Sequence, residues 1–291
     1  MLPPPVENAI RAVAADRTSG ASRLGRQTLD AMALMIAQAN GHPNPADLSE
    51  AARRLSSAQP AMAIVHNVAH LVARLVAEGQ DPQLVLDGVR EELDGAREKI
   101  ARNFLKIAPD RGTIVTLSHS DNALEAIKAA HARGLVERVF VLESKPLLEG
   151  LALAKALSEA GVPTKTVPDD VSARLLRDAT YVLVGADSVL RDGSVVNKIG
   201  TYRLASTAAN DHKPVYVVCE TLKFDARYDA VTWPGSSLKK DEKQAEASVL
   251  AGERFRDFEV TPAQLVTMIA TERGAYGPDT IRIMLTPRPK D

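Results

Sequence analysis

The feature that most constrains this chain is a change of period near Gly112. From there on, short apolar runs rich in β-branched residues alternate with helical stretches. Thr113–Leu117, Val139–Leu142, Gly161–Val167, Tyr181–Val184 and Val215–Val218 read as strands. Asn122–Arg133, Leu147–Ala160, Ser172–Leu176 and Tyr202–Asp211 read as the helices between them. Strands that are apolar throughout are buried on both faces, and helical crossovers make their neighbours parallel. Ligands of such sheets bind beyond the carboxyl ends of the strands. The unusual polar clusters fall at those ends: Ser118-His119-Ser120-Asp121, Glu143-Ser144-Lys145, Gly185-Ala186-Asp187 and Glu220 to Lys223. This half is therefore expected to hold a small phosphorylated ligand.

Before Gly112 nothing alternates like a strand. Segments Val6–Ala15, Arg23–Ala39, Asp47–Ser56, Pro60–Glu78 and Pro82–Leu105 carry helical periodicity, and Asn40-Gly41-His42-Pro43 is a stop. The expected fold class is α/β: a helical N-terminal domain, residues 1–110, followed by a Rossmann-like parallel-sheet domain, residues 111–291. With only 4% aromatic residues in a 45% hydrophobic chain, the core must be aliphatic. The polar excursion Asp225–Asp257 is long for a loop in a compact domain and reads as a lid, an interface arm or a disordered tip.

A net charge of −1 gives no long-range attraction to nucleic acid or anionic membranes. The single cysteine, Cys219, excludes an intramolecular disulfide and a zinc site built on cysteines. At the end of a buried strand it reads as an inert core thiol. The first residues lack the form of a signal peptide and no apolar run reaches membrane-span length, so a cytoplasmic protein is expected. Nothing calls for a cofactor or a metal. His66 and His70 have the i,i+4 spacing of metal ligands but no evident third ligand, and they read as helix-surface or interface histidines. The run Glu91–Lys99 reads as a solvated face.

The most specific stretch runs from Gly185 to Thr201. Asp187 ends a buried strand, Arg191-Asp192-Gly193 is a hairpin-like turn, and Asn197-Lys198-Ile199-Gly200-Thr201 is read as opening a helix. Backbone amides, Lys198 and Thr201 would then converge in an anion site. The competing reading, of about equal weight, is a capping Asp and a solvated Lys.

This stretch resembles the signature of the family that joins the regulatory alpha, beta and delta subunits of eukaryotic initiation factor 2B with two sugar-phosphate isomerases. Glu143-Ser144-Lys145-Pro146 with Glu149-Gly150 resembles the family's second motif, and Val260-Thr261-Pro262 with Thr271-Glu272-Arg273-Gly274 its C-terminal one. Asp16–Ser22 and Gln59-Pro60-Ala61-Met62 fall where the family has its N-terminal ligand loops. The isomerases act on methylthioribose 1-phosphate and ribose 1,5-bisphosphate, using a cysteine after the first strand and the Asp of Gly-Ala-Asp. The resemblance implies ligand contacts at Ser19, Gly20, Ala21, Gln59, Ser118, His119, Glu149, Asp187, Asn197, Lys198 and Lys223, at the junction of the domains. Asp187 and Ser118 stand at the catalytic positions. Three departures weaken catalysis: Ser118 for the cysteine, Gln59 for an arginine and Glu149 for a glutamine. The initiation-factor subunits also lack the cysteine and carry that Glu. The resemblance thus implies a non-catalytic sensor or assembly subunit that binds a sugar phosphate or nucleotide and forms a homo-oligomer. The alternatives are an aldose-1-phosphate to ketose-1-phosphate isomerase using Asp187 and a purely structural subunit.

Overall fold

The computed structural model describes residues 2–236, 255 and 257–286. The chain divides into two compact units, Met1–Ala96 and Arg97–Asp291. The first is built from α1 (Pro4–Ala15), α2 (Ala21–Gln38), α3 (Pro45–Ala58), α4 (Ala63–Ala77) and the greater part of α5 (Pro82–Phe104). In α1 the buried Val6, Ile10 and Val13 lie one and two turns apart on a single face. Asn44 caps α3 by accepting from Ala46 N at 2.8 Å. Ile64, Val65, Val68 and Val72 of α4 are fully buried, and α4 packs on α2 and α3.

In the second unit β1 (Gly112–Leu117), α6 (Asp121–Ala132), β2 (Val136–Leu142), α7 (Glu149–Glu159), β3 (Thr164–Val167), α8 (Ser172–Asp178) and β4 (Tyr181–Val184) alternate as expected. Next come β5 (Ser188–Leu190), β6 (Val195–Lys198), α9 (Thr201–Asn210), β7 (Val215–Val218) and β8 (Phe224–Asp225). The chain closes with β9 (Phe258–Thr261), β10 (Met268–Thr271), β11 (Gly274–Tyr276) and α10 (Pro278–Leu285). The main sheet has the order β11-β10-β7-β4-β1-β2-β3, parallel except for β11. Every residue of β4 and β7 is buried, as strands covered on both faces must be. Phe104, at the end of α5, packs edge-on against Tyr216, and the Tyr181 and Tyr216 rings meet at 5.6 Å.

A smaller sheet, β8-β5-β6-β9, was not foreseen. Its strands have only two to four residues each, too short for a periodic signal. The hairpin-like turn expected at Arg191-Asp192-Gly193 joins β5 to β6, with Leu190 N donating to Ser194 O at 2.8 Å. Asn197 and Lys198, read as the start of a helix, instead end β6, and the helix begins at Thr201. Of the excursion Asp225–Asp257, residues 237–254 and 256 lie outside the described residues. Within the described part Trp233 is fully buried and meets Phe255 edge-on at 5.0 Å. Among the described residues no helix is long and apolar enough to cross a membrane.

One glycine fixes the entry of α7. A Cβ on Gly150 would land inside the van der Waals envelope of the Leu142 carbonyl oxygen. That contact is with backbone at the end of β2 and cannot be relieved by a rotamer change. Gly150→Ala is expected to lower the unfolding free energy by about 3 kcal/mol, the upper range for overpacking. A denaturant midpoint unchanged from wild type would contradict it.

Candidate functional site

In the order β3-β2-β1-β4-β7-β10, succession runs outward in opposite directions from β1 and from β4. The crevice at the carboxyl ends of that pair is the topological switch point of the sheet. Ser118 follows β1 there, and Gly185-Ala186-Asp187 follows β4. The two chain segments approach so closely that a Cβ on Gly185 would overlap the Ser120 side chain. Three non-glycine residues around this crevice have left-handed backbone: Ser118 (φ 59), Ser144 (φ 61) and Leu148 (φ 56). Such conformations cost of order 1–3 kcal/mol each and persist only where the surroundings over-determine them.

Here the surroundings are a chain of hydrogen bonds. The Asp169 carboxylate accepts from Ser144 N at 2.8 Å and Lys145 N at 2.9 Å, pinning the turn after β2. Ser144 Oγ in turn accepts from Ser118 N at 2.6 Å. Ser118 Oγ donates to Glu149 Oε2 at 2.6 Å, while Lys198 Nζ donates to Glu149 Oε1 at 3.2 Å. Glu149, in the first turn of α7, therefore bridges the end of β1 and the end of β6. Both of its partners are buried.

Asp187 differs from all these groups: its carboxylate accepts no hydrogen bond from the described residues. It keeps a little exposure but is closely surrounded, and burial pushes its pKa up to about 6. Lys223 and Lys198 oppose that rise, whereas Glu149 and Glu220 add to it. Lys223 is itself 4% exposed and pairs with Glu220, 5% exposed, at 3.0 Å. Burial would lower the Lys223 pKa, but Glu220 and Asp187 outweigh it and hold it above the usual lysine value. Asn122, at the start of α6, donates to Glu220 Oε2 at 2.8 Å.

The anion site expected at the start of α9 needs correction. Gly200 N and Tyr202 N both donate to Glu259 Oε1, at 2.7 and 2.8 Å. A carboxylate from β9 thus occupies the amides that a phosphate was expected to take. Burial raises the Glu259 pKa, and the two amides oppose that rise. Thr201 is turned inward, donating to Lys198 O at 2.6 Å and accepting from Asn197 Nδ2 at 3.1 Å.

The other expected residues are placed as follows. His119 is exposed and pairs with Asp121 at 3.3 Å rather than with Ser118. Cys219 is fully buried, and burial pushes its thiol pKa up, in keeping with an inert core role. In the N-terminal unit Asp16 Oδ1 accepts from Ser19 N at 2.8 Å, closing the turn that leads through Gly20 to Ala21. Gln59 Nε2 donates to Val13 O and Asp16 O, both at 2.8 Å, so both amide protons tie α3 to the end of α1. The His66 and His70 rings lie 4.2 Å apart with their planes tilted by 41°, and His66 Nδ1 bonds Ser56 Oγ. The sequence reading missed Asn122, Asp169 and Glu259 as parts of this architecture. The pair Asp169-Asp170 directly after a strand was a usable signal for one of them.

Asp187 makes a pH-dependent contribution to stability. The folded chain holds the Asp187 proton more tightly than an unfolded chain with pKa 3.8. Stability is therefore lost as pH rises from about 4 through about 6. The full difference is on the order of 3 kcal/mol. Asp187→Asn is expected to raise Tm by several degrees at pH 7.5 and to leave it unchanged at pH 4. Equal melting curves at pH 7.5 would show that the carboxylate is not disfavoured by its surroundings.

Comparison with known proteins gives this geometry its context. The model of the Initiation factor 2 subunit family matches residues 17–278. A Pyrococcus furiosus protein described as eIF-2B subunit 2-like is 29% identical over 96% of this chain and 98% of its own length. The ribose 1,5-bisphosphate isomerase of Haloferax volcanii is 33% identical over 82% of this chain and 78% of that enzyme. The crystal structure of the Pyrococcus horikoshii translation initiation factor eIF-2B superimposes with a TM-score of 0.76 at 26% identity, covering 96% of this chain and 99% of that one. With the matching region running from the first turn of the helical unit to the last helix, the chain belongs to the Initiation factor 2 subunit family.

Proposed function

We propose that this chain is a non-catalytic member of the family that binds a sugar phosphate at the switch point, as a sensor or assembly subunit of the initiation factor 2B type. The observation that carries this reading is the double engagement of Glu149. The only heteroatom at the cysteine position, Ser118 Oγ, donates to Glu149 at 2.6 Å. A carboxylate is too weak a base to take the proton of a hydroxyl outright, so this hydrogen bond leaves Ser118 Oγ protonated rather than an alkoxide near neutral pH. Lys198 is held by the same carboxylate, so its charge is partly compensated before a ligand arrives. Asp187, which accepts no hydrogen bond from the described residues, faces the ligand. When ionised it accepts hydrogen bonds from hydroxyls and repels phosphate, so the polyol portion of the ligand lies against it.

A second reading, an aldose-1-phosphate to ketose-1-phosphate isomerase, is favoured by that same carboxylate. A pKa of about 6 suits a group that takes and returns a proton near neutrality.

The two readings separate in one set of measurements. Ribose 1,5-bisphosphate at a hundredfold its Kd is expected to stabilise the wild type by about 2.7 kcal/mol, seen as a raised Tm. The same protein is expected to form no ketose phosphate in a coupled assay over ribose 1,5-bisphosphate and methylthioribose 1-phosphate. Ser118→Cys combined with Glu149→Gln restores a thiol without the adjacent carboxylate and is expected to gain turnover. Robust wild-type turnover that Asp187→Asn abolishes would replace the sensor reading with the isomerase.

We further propose that the chain is a homo-oligomer. Leu147, Leu148 and Leu151 beside the start of α7, and Ile199 and Tyr202 beside the start of α9, are exposed apolar side chains on segments joined by the Glu149–Lys198 pair. Light scattering at micromolar concentration is expected to give at least twice 31.2 kDa. A particle of 31.2 kDa would overturn this.

A further inference from the structure

Two pairs of ionic side chains meet around Asp187, and only one is explained by the bridging role of Glu149. The other, Glu220 with Lys223, lies at the end of β7 with both side chains at least 95% buried. A buried ion pair is a poor device for stability, because desolvating two charges costs about what their attraction returns. The supporting residue adds to that cost. Asn122 is 1% exposed and donates its amide to Glu220, while its own Oδ1 finds no partner among the described residues. An apolar trio of the same volume would serve packing better. A buried group that stability does not account for is a place to look for function.

We propose that Glu220 and Lys223 are positioning residues that set the charge of Asp187, with Asn122 orienting Glu220. Asp187 follows β4, and Glu220 and Lys223 follow its parallel neighbour β7, so the pair lies beside Asp187 at the carboxyl edge of the sheet. With Glu149 from α7 and Lys198 from β6 they are the charged groups that act on it. Two ammonium groups thus stand against three carboxylates, and a proton on Asp187 brings the cluster to neutrality. Lys198 is already taken by Glu149, which leaves Lys223 as the cation with the strongest hold on the ionised Asp187. Glu220 limits that hold by compensating Lys223. Burial raises the Asp187 pKa and the pair sets how far Lys223 opposes that rise, leaving a group able to accept from a ligand hydroxyl when ionised and to donate to a carbonyl or phosphate oxygen when protonated. This role rests on Asp187 being the ligand-facing carboxylate of the proposed function, but it is present before any ligand binds.

The test is therefore made on the full chain without ligand, so that its failure is distinct from failure to bind or turn over a sugar phosphate. Aspartate Cγ and lysine Cε carbons are labelled with 13C, and their resonances are followed by NMR from pH 4 to 9. Asp187 is assigned through its loss in Asp187→Asn, and the lysines through Lys223→Arg and Lys198→Arg. In the wild type the Lys223 resonance is expected to shift with the same midpoint as Asp187. Lys223→Met is expected to move the Asp187 midpoint up by about one pH unit and Glu220→Gln to move it down by about as much. A general loosening of the fold would move both variants in one direction. A Lys223 resonance that stays flat through the Asp187 midpoint would overturn the proposal, as would shifts of the same sign in both variants. The wild-type measurement decides the matter if either variant fails to fold.

Discussion

The site depends on one carboxylate being in one place. Glu149 can accept from Ser118 and Lys198 together only because α7 begins where it does. That start is fixed by the absence of a Cβ on Gly150 and by the left-handed Leu148 that precedes it. The turn before it is held by Asp169, and Ser118 is held in its own left-handed conformation by Ser144. Strained residues at the ends of β1 and β2 and at the entry to α7 thus share one hydrogen-bonded frame. Local strain concentrated at such a crevice is maintained by the surrounding fold, here a parallel sheet whose central strands are buried throughout.

The electrostatic consequence is a site that balances its own charge. Lys198 is met by Glu149, Lys223 by Glu220, and the amides at the start of α9 by Glu259. Asp187 accepts no hydrogen bond from the described residues, and burial, with no such bond to offset it, raises its pKa. With Asp187 titrating near neutrality, the net charge of the crevice changes with pH.

Much of this was legible in the residues. Runs such as Tyr181–Val184 and Val215–Val218 are apolar at every position, which only a strand buried on both faces tolerates, and the sheet places them centrally. Because polar clusters followed those runs, the crevice could be located before its geometry was known. What escaped were contacts made by elements too short or too distant to signal. Asn197 and Lys198 precede a Gly-Thr pair that does begin a helix, so the last two residues of β6 were absorbed into it. Glu259 lies 59 residues from the amide it accepts from, and nothing local distinguishes it from a solvated carboxylate. The tie from Gln59 to the end of α1 is likewise a tertiary contact, between residues 46 and 43 positions apart.

The pairing of Ser118 with Glu149 has its own physical logic. A nucleophilic thiol needs a positive surrounding that favours its thiolate. A carboxylate within hydrogen-bond distance does the reverse, raising the thiol pKa and leaving the weaker, protonated form. A carboxylate at position 149 and a reactive thiol at position 118 therefore work against each other. Serine removes the conflict, since its hydroxyl gains a strong charge-assisted hydrogen bond from the same neighbour. The same carboxylate also pairs with Lys198, so the charge of that ammonium is already partly compensated. Ser118 and Lys198 are in this sense one unit, because the same carboxylate holds both.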